Sequence, residues 1–182
     1  MKTCPRGQVF LFLGNTQYQM EKKRIGFDLL IFEDEAELSQ NDQKLLRAAE
    51  EARKNAYAPY SRFKVGAAAL LENGETVIGN NQENASYPSG LCAERVAVFQ
   101  AGARFPGVAI VSIAISAASE EHVVDMPAAP CGNCRQSIME YEHKQQSPIS
   151  LLMKAEKGPI FKCSSMADIL PLAFDNSFLG DS

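Results

Sequence analysis

Two hydrophobic periods alternate along this chain. Ile25 to Phe32 has the apolar density of a strand, and Glu33-Asp34-Glu35 closes it. Ser39 then offers an N-cap. Leu45, Leu46, Ala49 and Ala52 recur at helical spacing until about Asn55, where Ala58-Pro59-Tyr60-Ser61 breaks the pattern. Lys64 to Leu71 and Glu75 to Gly79 read as two strands joined by an Asn73-Gly74 turn, the strongest local hairpin signal in the chain. A loop from Asn80 to Gly90 leads to a helix from near Cys92 to about Ala103. Val108 to Ser116 is a buried strand, dense in β-branched residues.

A loop carrying Glu120, Glu121 and His122 follows, and a second motif-bearing helix spans about Gly132 to His143. Ile149 to Lys154 and Ile160 to Cys163 are the last strands, and Ser165 caps a short helix ended by Pro171. Strands alternating with helices late in the chain predict an α/β fold, with a parallel portion of sheet covered on both faces. The early hairpin makes that sheet mixed. Residues 1–19, rich in Pro, Gly, Gln and Asn around one brief apolar stretch, read as a poorly ordered tail or an upstream extension. Residues 20–182 read as one domain with an extra N-terminal strand before its first helix.

Composition narrows the function. A net charge of −4 with no long basic run disfavours a nucleic-acid partner, whose phosphates call for a cationic stripe. Val9 to Leu13 is too short for a secretory signal, and no apolar run is long enough to span a bilayer, so no membrane partner is expected. Five cysteines, two of them in a C-x-x-C, fit a reducing cytoplasm where clustered thiols serve metal or catalysis.

The chemistry concentrates in Cys92-Ala93-Glu94-Arg95 and Pro130-Cys131-Gly132-Asn133-Cys134-Arg135. Cys131 and Cys134 share one face of a first helical turn, and with Cys92 they supply three thiolates for a tetrahedral Zn2+ whose fourth corner stays open. Helix N-termini favour thiolate sulfur. Glu94 stands beside that corner as the proton carrier. Metal, water and proton shuttle together are the parts for hydrolytic removal of an amine from a nucleobase. Arg95 and Arg135 are expected to offset the thiolate charge through hydrogen bonds around the metal. The alternative is a closed structural zinc site, which needs a fourth ligand from Cys4, Cys163, His122 or His143.

Four motifs in order carry a family likeness: Tyr57 to Ala68, Gly79 to Pro88, Cys92 to Arg95 and Pro130 to Gln136, with Leu170-Pro171-Leu172-Ala173-Phe174 behind them. From about Ala49 to Phe178 the chain resembles the cytidine deaminase family, in its short, three-cysteine, homotetrameric branch. The resemblance implies a three-layer α/β/α sandwich with a five-stranded mixed sheet, and zinc held by Cys92, Cys131 and Cys134. It implies Glu94 as proton shuttle, and the conversion of cytidine and deoxycytidine to uridine and deoxyuridine with release of ammonia, a pyrimidine-salvage reaction. Asn81 and Glu83 match residues that hold the ribose hydroxyls, Phe63 one that packs on the nucleoside, and Ala93 one whose backbone lies near the base. Tyr87 and Phe174 match aromatic positions at active sites assembled between subunits of the tetramer. A deaminase for a cytosine-containing antibiotic, a nucleic-acid editing deaminase and a non-catalytic zinc module are the competing readings.

Overall fold

The computed structural model describes residues 20–180. Its strands are β1 (Leu30–Phe32), β2 (Phe63–Leu71), β3 (Thr76–Asn80), β4 (Ile110–Ser119), β5 (Ser150–Lys154) and β6 (Ile160–Cys163). Its helices are α1 (Gln40–Lys54), α2 (Ala93–Arg104), α3 (Gly132–Gln145) and the single-turn α4 (Met166–Ile169). The expectation for residues 1–19, and Cys4 with it, lies outside the described residues.

The strands form one sheet in the order β1-β6-β5-β4-β2-β3. Only β4 and β5 run parallel, because α3 lies between them and carries the chain back across the sheet. Short turns join β2 to β3 and β5 to β6, so these pairs are antiparallel.

The sheet has six strands rather than five. The extra strand joins its edge, with Leu30 opposite Lys162, Ile31 opposite Phe161 and Phe32 opposite Ile160. It covers backbone groups of β6 that would otherwise face water. β1 is also shorter than the apolar run Ile25 to Phe32, because β6 is only four residues long and offers nothing further to pair with. Ile25, Phe27 and Leu29 stay exposed. The entry to α1 is anchored by charge: Lys154 Nζ lies 3.2 Å from Glu35 and 2.7 Å from Glu50, and Lys162 Nζ lies 2.8 Å from Asp42.

Alternation along the central strands sorts the core into two halves. Ala68, Ala114 and Leu152, aligned across β2, β4 and β5, face Leu45, Leu46 and Ala49 of α1. Their neighbours Ala69, Ile113 and Leu151 face the other way, toward Ala97, Val98 and Ala101 of α2 and Ile138 of α3. This is the expected three-layer sandwich.

Two strand glycines set how closely the helices approach. A Cβ on Gly66 would run into the Ala49 carbonyl and the Arg53 backbone of α1. On the other face, a Cβ on Gly79 would meet Ala93 O and Ala97 N, each at 2.5 Å. Both obstacles are backbone and cannot swing aside. Gly79→Ala is therefore expected to push α2 off the sheet and to destabilise the fold by about 1–3 kcal/mol, read as a lower denaturation midpoint at unchanged slope. An unaltered midpoint would show that the contact yields freely.

Candidate active site

Cys92 is the N-cap of α2, Cys131 is the N-cap of α3, and Cys134 lies in the first turn of α3. Neither N-cap side chain makes a capping hydrogen bond to its helix, which leaves both sulfurs available to a shared ion. The sheet brings the two helix starts together: Sγ of Cys92 is 3.8 Å from Sγ of Cys131, which is 3.5 Å from Sγ of Cys134, and all three sulfurs lie within 4.8 Å of one another. Zinc–sulfur bonds of about 2.3 Å at tetrahedral angles place sulfurs roughly 3.8 Å apart. The donor set fits zinc in both chemistry and spacing.

Among the described residues no fourth ligand joins this cluster. Cys163 is buried in the core, and His143 faces Asp175 at 4.0 Å. Among the described residues, which leave out Cys4, none of Cys163, His122 and His143 joins the three sulfurs as the closed structural site would require.

The thiols are already polarised. A hydrogen bond from Cys134, with help from Cys131 and Arg95 and against the effect of burial, holds the Cys92 thiol down to about 5. Cys134 is pushed up, first by that same hydrogen bond and then by burial. The cluster thus stabilises sulfur anion at Cys92, next to the cavity. Arg95 contributes through its charge, while its Nη2 donates to Gly90 O at 3.2 Å and its buried Nε has no protein partner.

Arg135 does something else. Its Nε donates to Pro130 O at 2.8 Å and its Nη1 to Ile169 O at 2.7 Å, so it braces the turn before Cys131 against the end of α4. Two of its five N–H donors thus go to backbone carbonyls rather than to the sulfurs.

Glu94, two residues past Cys92, is only 5% exposed. Burial, reinforced by the nearby Cys92 charge, raises its carboxyl above the usual range despite hydrogen bonds that pull the other way. A buried carboxyl of raised pKa beside the three sulfurs is suited to take up and return a proton.

Cys92, Glu94 and Cys131 line a cavity of about 640 Å³, in the range of small-molecule sites. Phe63, Asn81, Glu83 and Tyr87 line it as well. Asn81 and Glu83 sit two apart in an extended segment and face one side, as their spacing implies. Asn81 is partly engaged: its Oδ1 accepts from Val65 N at 2.8 Å and its Nδ2 donates to Phe63 O at 2.9 Å. Tyr87 is 75% exposed at the rim, edge-on to Tyr60. The Ala93 side chain is packed in the core between Cys92 and Glu94. Phe174 lies outside this chain's own cavity; it is 56% exposed, stacked on Phe178, with its carbonyl held by Gln136.

Two features of the site escaped sequence reasoning. Tyr60 and Ser61 hold Glu83, although only their helix-breaking character stands out in the sequence. Ala128 and Ala129 form a wall, and small apolar loop residues carry no chemical signal.

The model of the cytidine and deoxycytidylate deaminase zinc-binding region matches residues 39–147. The chain belongs to that family. It is accordingly an enzyme, a hydrolase of C–N bonds that takes a small-molecule substrate and uses zinc as its cofactor. A cytidine deaminase of Halalkalibacterium halodurans is 46% identical over 101 residues, covering 54% of this chain and 70% of its own. One from Sporosarcina psychrophila is 37% identical over 141 residues, covering 75% and 93%. The crystal structure of cytidine deaminase from Burkholderia pseudomallei superposes with a TM-score of 0.64 at 38% identity, over 75% of this chain and all of that one. No helix among the described residues is long and apolar enough to cross a membrane.

Proposed function

We propose that this deaminase hydrolyses cytidine and deoxycytidine to uridine and deoxyuridine, releasing ammonia, within pyrimidine salvage. The observation that carries the reading is a buried Glu94 beside three converging cysteine sulfurs at the wall of a nucleoside-sized cavity.

Cys92, Cys131 and Cys134 hold the zinc. When bound, Zn2+ supplies the Lewis acidity that lets a water molecule ionise near neutral pH. Glu94 accepts a proton from the attacking water and passes it to N3 of the cytosine as the water oxygen bonds to C4. The same carboxyl then returns the second water proton to the amine on C4. The C4–N bond breaks, ammonia leaves, and the uracil ring remains. Raised pKa and burial suit Glu94 to act first as base and then as acid. Arg95 balances thiolate charge at Cys92, so that three sulfur ligands do not quench the cation's acidity.

Asn81 and Glu83 take the sugar hydroxyls, Phe63 packs on the nucleoside, and the Ala93 backbone approaches the base. A site that buries such polar groups rejects ligands lacking the matching hydroxyls. Tyr87 at the rim and Phe174 outside the cavity serve sites completed by neighbouring subunits of a homotetramer, which their high exposure in one chain supports. Cysteines clustered at metal-ligand spacing favour a cytoplasmic enzyme.

Purified protein mixed with cytidine is expected to yield uridine and ammonia in equal amounts. Cytidine that survives zinc-loaded enzyme unchanged would end this reading.

A further inference from the structure

Glu83 has a fixed backbone and a tethered carboxylate. Tyr57 N donates to Asn81 O at 3.0 Å, Glu83 N donates to Tyr57 O at 2.9 Å, and Gln82 exchanges two 2.9 Å hydrogen bonds with Leu91. What remains is a side chain with three rotatable bonds, and the turn before β2 immobilises it. Oε2 accepts from Tyr60 N at 2.9 Å and Ser61 N at 3.2 Å, and Oε1 accepts from the Ser61 hydroxyl.

The direction of the Ser61 hydroxyl is itself set. Its oxygen accepts from Phe63 N at 3.1 Å, which leaves its hydrogen for Glu83. One hydroxyl therefore connects the two residues proposed to take the sugar and pack on the nucleoside. Three of the roughly four acceptor directions of a carboxylate are occupied, leaving one on Oε1 for a ligand in the cavity.

We infer that Ser61 is a positioning residue for sugar recognition, acting through Glu83 to aim its remaining acceptor direction at a hydroxyl of the bound nucleoside. This rests on the nucleoside reading proposed above. Burial works to raise the Glu83 carboxyl, but the hydrogen bonds from Ser61 and Tyr60 outweigh it and hold the group below its ordinary value. An anion that only accepts suits a donor hydroxyl. A carboxylate held ready loses less freedom when the sugar arrives.

The test is kcat and KM of the zinc-loaded enzyme and of Ser61→Ala and Ser61→Thr, on cytidine and on 2′,3′-dideoxycytidine. Ser61→Ala should lower kcat/KM for cytidine about tenfold, mostly through KM, the effect of one hydrogen bond to a charged group. On the dideoxynucleoside, which offers Glu83 no ring hydroxyl, the variant should match wild type within about twofold. Ser61→Thr keeps the hydroxyl and should restore cytidine KM. An equal loss on both substrates would reduce Ser61 to a structural residue, and no loss on cytidine would remove its role. Failure of the wild-type enzyme to turn over cytidine is a distinct result, which overturns the nucleoside reading and this inference with it.

Discussion

Glu94→Gln is expected to lose about 100- to 10,000-fold in kcat on cytidine while retaining its zinc and its fold. Glutamine has nearly the shape of the carboxylic acid it replaces. Glu94 is 5% exposed in the first turn of α2, packed beside core residues Ala93 and Ala97, so an isosteric exchange leaves no hole. What disappears is the ability to take a proton and give it back. The raised pKa of the native carboxyl comes first from burial, and a neutral amide is indifferent to that environment. The loss should fall on kcat, because the proton moves during reaction and not during binding. Metal content near one per chain and an unchanged denaturation midpoint would assign the loss to chemistry. Turnover close to wild type would remove Glu94 from the mechanism.

The second large effect is expected from Cys131→Ala: activity at background and zinc content falling from about one per chain to near zero. Position makes this variant informative. Cys131 is exposed toward the cavity at the N-cap of α3, so truncating it removes a ligand without opening the core. Cys134 is completely buried, and its truncation would mix metal loss with a cavity. The fold of Cys131→Ala should persist but lose the added stability that metal gives wild type, about 4 kcal/mol where free zinc exceeds the dissociation constant a thousandfold. Calorimetry of both proteins with and without zinc checks this. A variant that still gains stability from zinc would show that the cysteine cluster is not where the metal binds.

Local signals carried most of the fold. Asn73-Gly74 marks the β2–β3 turn because Gly74 takes a φ of 83° and Asn73 Oδ1 accepts from Glu75 N, both of which the sequence specifies. Ser39 and Ser165 cap α1 and α4 for the same reason. The cysteines were legible because two short motifs contain the whole donor set.

Long-range partners were not legible. The pairing of β1 depends on β6, which lies more than a hundred residues away and limits it to three residues. Nothing in the local sequence singles out Glu142 on α3. In the structure it is buried and accepts from Ile149 N, Met166 N, Ala167 N and the Ser165 hydroxyl, tying α3 to the start of α4. Arg135 reads as a partner of sulfur by adjacency, whereas the chain returning at Ile169 supplies its acceptor. In each case the deciding partner lies far along the chain, where no periodicity reports it.

The whole account depends on a cation held by three sulfurs making water reactive beside Glu94. Zinc titrated into metal-stripped protein, with ammonia release from cytidine followed at each addition, tests this most directly. Activity should rise from background in proportion to zinc and level off at about one ion per chain. Full deamination by the stripped protein, or a zinc-saturated protein that releases no ammonia, would contradict it.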